Sequence, residues 1–156
     1  MIEKTLAKLI ESGLTISFAE SVTGGGLAYE LVKEAGASNV IKGSVVAYSS
    51  NAKTKVLKVK SNTIKKHGLV SAEVSYEMAR FIQKMFCSDL AVSTTGNAGP
   101  TFLDQKDRQE VYVTILFHHQ QFNYHLTFAN ETRENVLKST IRIVYEKIYE
   151  ILTGFK

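Results

Sequence analysis

Apolar residues recur along this chain in two rhythms, and their alternation sets out the elements. Ile2, Leu6, Leu9 and Ile10 fall at helical spacing over residues 2–12, with Gly13 as a stop. Residues 15–19 read as a short buried strand. Thr23 is placed to cap a helix that runs through Leu27, Leu31 and Val32 to Ala35 and ends at Gly36. Residues 40–48 are rich in Val and Ile and form a second strand. Residues 51–57 and 61–67 make two short helices, the latter closed by Gly68. Ser71-Ala72-Glu73 opens a long helix through Met78, Phe81, Ile82 and Met85. Residues 90–93 form a third strand that runs into a turn, Thr94 to Pro100. After a polar loop at 104–109, residues 111–117 and 122–128 flank His118 to Gln121 as a hairpin. Asn130 or Thr132 caps the last helix, which places Val136, Leu137, Ile141, Val144, Ile148 and Ile151 on its apolar side.

Strands alternate with helices early and pair antiparallel late. That order predicts an α/β protein: a three-layer α/β/α sandwich with a mixed, mostly parallel sheet and an antiparallel hairpin. A single domain over 1–156 accommodates all of it. In such folds ligands gather at the loops beyond the C-terminal ends of strands. Three loops qualify, after Ala19, after Tyr48 and after Ser93.

Composition narrows the class. At 156 residues the chain can bury a core without metals or disulfides. Lys plus Arg exceed Asp plus Glu by 19 to 15, which suits small anions such as phosphate esters but is no nucleic-acid footprint. The one cysteine, Cys87, fits a reducing cytoplasm and, in the run Met85-Phe86-Cys87, reads as a buried structural thiol. No apolar run is long enough to span a bilayer, and Met1-Ile2-Glu3-Lys4 does not read as a signal peptide. His118 and His119 fit no zinc spacing, so neither metal nor cofactor is expected.

The first loop carries the most chemistry. Glu20, Ser21 and Thr23 set one carboxylate and two hydroxyls before Gly24-Gly25-Gly26, where a ligand can approach backbone N–H groups. The glycines match neither a P-loop nor a dinucleotide fingerprint. Taken alone, Ser21 is most often only a helix cap. The second loop, Tyr48-Ser49-Ser50-Asn51-Ala52-Lys53, changes that. A lysine in the first turn of a helix sits against the dipole, which lowers its pKa and suits it to activate a serine. Lys55, Lys58 and Lys60 follow closely, which equally suits a solvated surface charge. In the third loop, Thr94, Thr95, Gly96, Asn97, Ala98 and Gly99 offer backbone N–H groups to an oxyanion or phosphate, or simply build a tight turn. Arg133 opens the last helix and can fork onto a phosphate.

Together, Ala19-Glu20-Ser21-x-Thr23-Gly24-Gly25, Tyr48-Ser49-x-x-Ala52-Lys53 and Thr95-Gly96-x-Ala98-Gly99-Pro100 resemble the CinA C-terminal domain family, which includes stand-alone nicotinamide mononucleotide amidases. Ala37-Ser38, Lys42-Gly43 and His67-Gly68-x-Val70-Ser71 add to the match. The resemblance implies hydrolysis of the carboxamide of nicotinamide mononucleotide to nicotinic acid mononucleotide and ammonia. It implies Ser21 as nucleophile, Lys53 as base, and Tyr48 assisting proton transfer or orienting Lys53. Glu20, Thr23, Gly24, Gly25, Thr95, Gly96, Ala98, Gly99 and Arg133 would lie about the substrate, with Arg133 at the phosphate. Family members form dimers or larger oligomers, and the aromatic hairpin (Phe117, Phe122, Tyr124, Phe128) could furnish an apolar interface or face the core.

The chain departs from the pattern twice. Val22 stands where the family has Cys. Residues 101–110, Thr-Phe-Leu-Asp-Gln-Lys-Asp-Arg-Gln-Glu, replace a glycine-rich stretch. That loop leaves two other readings open: a nucleotide-binding or interaction module without turnover, and an amidase for another anionic amide.

Overall fold

The computed structural model describes residues 1–154, so the last two residues of the expected domain fall outside it. Among the described residues, five strands form one sheet in the order β2-β1-β3-β4-β5. The elements are α1 (Ile2–Ser12), β1 (Ile16–Glu20), α2 (Gly26–Val32), β2 (Ile41–Val46), α3 (Ser50–Lys55), α4 (Ser61–His67), α5 (Ala72–Phe86), β3 (Leu90–Asn97), β4 (Gln109–Phe117), β5 (Gln120–Phe128) and α6 (Arg133–Thr153). β1 pairs in parallel with β2 and β3, whereas β3–β4 and β4–β5 are antiparallel. Four strands therefore point one way and only β4 opposes them. This is the expected α/β architecture.

Period-two alternation divides the core between the two faces of the sheet. Ile16, Phe18, Leu90, Val92, Val111, Val113 and Ile115 point to one face, where Leu6, Leu9, Leu27, Leu31, Val144, Tyr145 and Ile148 of α1, α2 and α6 cover them. Ala19, Ala91 and Leu116 point to the other, under Val74, Met78, Ala79 and Ile82 of α5. Each fully buried aliphatic or aromatic side chain contributes about 1.5–3 kcal/mol. Strand β1, central and covered on both faces, is buried at every position.

Several boundaries differ from the sequence reading. β3 continues through Asn97 because Thr94 to Asn97 pair with Val113 to Glu110. The expected turn residues Thr95 and Gly96 thus lie in a strand. Gly96 sits where a Cβ would meet the Glu110 carbonyl oxygen at 2.5 Å, so the β3–β4 contact itself requires glycine. Phe117, Phe122, Tyr124 and Phe128 pack partly buried against the α6-side core, so the hairpin aromatics face inward. Cys87 is exposed rather than buried. It lies beyond the end of α5 in a left-handed conformation, where its backbone caps the helix.

The topology gathers the C-terminal ends of β1, β2, β3 and β5 and the start of β4 at one edge. The segments 21–25, 47–53, 97–103 and 131–133 all lie there.

Candidate active site

The turn after β1 is built around one buried carboxylate. Glu20 is fully buried, and its side chain accepts from the Thr23 hydroxyl at 2.6 Å, the Leu27 N–H at 2.9 Å, the Ala28 N–H at 3.1 Å and the Ser44 hydroxyl at 3.4 Å. Glu20 therefore satisfies the free N–H groups of the first turn of α2 and meets the positive end of its dipole. Thr23, also buried, hydrogen-bonds the Thr94 hydroxyl at 2.8 Å. Both residues were expected at the substrate; both are instead internal struts that fix the turn. Thr23 does not cap the helix either. The N-cap is Gly25, and Gly24 and Gly25 take φ of 60° and 97°, which delays the helix to Gly26. A Cβ on Gly26 would meet Ile141 Cδ1 at 2.5 Å, so the third glycine sits close against the Ile141 side chain of α6.

Ser21 follows directly. Its N–H extends the β1–β3 ladder to the Thr94 carbonyl at 3.0 Å, and its side chain borders a cavity of about 370 Å³. Behind it stands Lys53. The Ser49 hydroxyl caps α3 by accepting from the Ala52 N–H at 3.0 Å, and the single turn that follows swings Lys53 inward. Lys53 is only 2% exposed, so the reading as a surface charge fails. Its Nζ donates to Ser21 Oγ at 2.8 Å and to the Ala47 carbonyl at 3.2 Å.

Burial pushes the Lys53 amine down from 10.5 to about 8, and the Asp104 carboxylate partly opposes that shift. The expected lowering is present with a different cause. Lys53 lies in the last turn of α3, where a helix dipole favours a cation, so desolvation does the work. Such an amine is roughly one-tenth neutral at pH 7 and half neutral near pH 8. It can take a proton from a hydroxyl and return it.

The other cavity walls come from the second and third loops. Tyr48, Gly96, Asn97, Ala98 and Arg133 line it, together with Val22 and the segment Thr101 to Leu103, whereas Gly24, Gly25 and Gly99 do not. Arg133 Nη1 donates to the Gly99 carbonyl at 2.7 Å, and Nη2 donates to the Tyr48 hydroxyl at 2.5 Å. Tyr48 is 58% exposed and makes no hydrogen bond to Lys53; the Ala47 carbonyl fills that place. Thr95 is buried, with its hydroxyl donated to the Leu69 carbonyl at 2.8 Å, and does not border the cavity. The segment between β3 and β4 is held by side chains. Asn97 exchanges hydrogen bonds with Leu103, and Gln109 ties Ala98 to Glu131. Polar composition alone could have flagged Asn97 and Gln109, but not what they would hold.

Among the described residues no group of three or more His, Cys, Asp and Glu side chains could hold a metal ion, and no helix is long and apolar enough to cross a membrane.

The family model for the CinA C-terminal domain matches residues 1–152. A CinA-like protein from Flavobacterium psychrophilum is 39% identical over 157 residues, covering 99% of this chain and 37% of that protein. Another from Petrotoga mobilis is 39% identical over 145 residues, covering 92% of this chain and 36% of that protein. The chain thus spans little more than a third of the length of these relatives. A crystal structure of a CinA superfamily protein from Klebsiella pneumoniae superposes with a TM-score of 0.94 at 28% identity, covering 99% of this chain and 96% of that one. A competence/damage inducible protein from Agrobacterium tumefaciens gives 0.89 at 27% identity, covering 98% and 96%.

Proposed function

This chain belongs to the CinA C-terminal domain family, and we propose that it hydrolyses the carboxamide of nicotinamide mononucleotide to give nicotinic acid mononucleotide and ammonia. The observation that carries the reading is the buried 2.8 Å hydrogen bond between Lys53 Nζ and Ser21 Oγ. An amide is a poor electrophile, so its hydrolysis needs an activated oxygen, a proton for the leaving nitrogen and a site for the oxyanion. The first two requirements meet in this one pair.

In the proposed sequence, neutral Lys53 takes the Ser21 hydroxyl proton as Oγ bonds to the carboxamide carbon. The carbonyl oxygen becomes an oxyanion. In this reading the N–H groups of Val22 and Thr23, which follow the nucleophile in the chain, receive it. The C–N bond breaks as the Lys53 ammonium gives its proton to the nitrogen, and ammonia leaves an ester on Ser21. Lys53, neutral again, deprotonates a water that adds to the ester. Ser21 recovers its proton from Lys53, and the carboxylic acid departs.

Arg133 takes the phosphate. Its remaining N–H donors are available to an anion, and the Tyr48 hydroxyl and Gly99 carbonyl hold its plane beside the cavity. Tyr48 then acts on the anionic end of the substrate through Arg133 rather than on Lys53. Thr101 to Leu103 form part of the wall, which favours one second reading: the same chemistry on another anionic carboxamide. Product identification by NMR, after incubation with nicotinamide mononucleotide and with a panel of phosphorylated amides, separates the two. Conversion of none of them would overturn both.

A further inference from the structure

We infer that Gln109 is a positioning residue that locks the two phosphate-side walls of the cavity together and so keeps Arg133 aimed at the substrate's anionic group. The inference rests on the reading of Arg133 given above. Gln109 lies at the start of β4, at the end of the segment that follows β3, and is only 9% exposed. Its Nε2 donates to the Ala98 carbonyl at 3.0 Å and to the Glu131 carbonyl at 2.7 Å, while its Oε1 accepts from the Glu131 N–H at 3.0 Å. Both amide protons and one carbonyl lone pair are thus committed to two backbone segments that no strand pairing joins. One segment is the Asn97–Gly99 wall. The other is the approach to α6, where Thr132 is the cap and Arg133 the first residue.

Arg133 depends on this spacing. Its Nη1 bonds the Gly99 carbonyl, one residue from the carbonyl that Gln109 holds. If the walls drift apart, either that bond or the aim of the fork is lost. An amide of this length donates to both carbonyls and accepts from the Glu131 N–H; a shorter side chain cannot span the gap, and a carboxylate would set oxygen against both carbonyls. Lys53 and Ser21 belong to other elements and do not touch Gln109, so the chemistry step does not depend on it.

The experiment measures kcat and KM on the full chain for nicotinamide mononucleotide and for nicotinamide riboside, which lacks the phosphate. The variants are Gln109→Ala, Gln109→Glu, Arg133→Ala and the double variant Gln109→Ala with Arg133→Ala. Both Gln109 variants are expected to raise KM for the nucleotide about tenfold with kcat within about twofold, and to leave kcat/KM for the riboside unchanged. In the double variant the Gln109 change adds nothing to the loss from Arg133→Ala. Equal losses on nucleotide and riboside, or full additivity in the double variant, would overturn the inference, because a merely structural role gives both. If the unaltered chain turns over neither compound, the hydrolase reading fails. Dissociation constants for nicotinic acid mononucleotide and its nucleoside, measured by calorimetry on the same variants, then make the same comparison for Gln109.

Discussion

Lys53 Nζ sits 2.8 Å from Ser21 Oγ in a pocket that leaves the lysine 2% exposed, and the same burial that hides the amine brings it to about 8. The charged form is the one that burial disfavours, so the lowered value comes from the fold rather than from a charged partner. The pH dependence follows. In the proposed mechanism only the fraction with neutral Lys53 activates Ser21, so kcat/KM is expected to rise with pH, with the midpoint of its acid limb near 8. Asp104 favours the ammonium, so Asp104→Asn moves that limb to lower pH while keeping an oxygen for the Val70 N–H that Asp104 now accepts. A pH–rate profile of both proteins checks it; a limb unchanged by the substitution contradicts the assignment to Lys53.

The same residue costs stability. Because the folded value lies below the unfolded one, the folded state holds fewer protons than the unfolded state between about pH 8 and 10.5. Stability from this group therefore rises with pH across that window, and the penalty is complete below it. Lys53→Met removes the buried charge but leaves the Ala47 carbonyl without its donor. A net gain of about 1–2 kcal/mol at pH 7 is expected, with activity abolished. Denaturant titration at pH 7 and pH 10 reads the gain and its disappearance at high pH.

Glu20 supports the turn that carries Ser21. Glu20→Ala strips the first turn of α2, Thr23 and Ser44 of one shared acceptor. A loss of about 2–4 kcal/mol is expected, with activity falling even in protein that remains folded. Thermal melts beside kinetics on the folded fraction test this; a variant as stable as the parent would remove Glu20 from the frame.

Tyr48→Phe separates the two roles available to that hydroxyl. Its one hydrogen bond accepts from Arg133. The substitution is expected to raise KM for the nucleotide by about threefold to tenfold and to change kcat little. A collapse of kcat with KM unchanged would return Tyr48 to proton transfer.

Much of the fold was legible because the sheet alternates cleanly. Ile16 and Phe18 against Ala19, or Leu90 and Val92 against Ala91, declare two faces and hence two layers of helix. Ends were less legible. Thr94 to Asn97 carry turn-forming residues, yet pairing with β4 keeps them extended, and that partner starts in a segment that reads as loop. The site was legible as a set of residues and not as contacts. Ser21 and Lys53 lie 32 positions apart, and nothing in their spacing brings them together. The lysines around Lys53 are exposed, as their composition suggests, which masks the one that turns inward. Glu20 misleads for a related reason. Glutamate is not a usual helix cap, and its acceptors serve N–H groups seven and eight positions on, beyond any local pattern.

Ammonia release reads the proposed chemistry most directly. Incubated with nicotinamide mononucleotide near pH 8, the intact chain is expected to release ammonia and nicotinic acid mononucleotide in equal amounts, and Ser21→Ala to release less by a factor of about 10³ or more. No release by the intact chain, or release undiminished in Ser21→Ala, would contradict it.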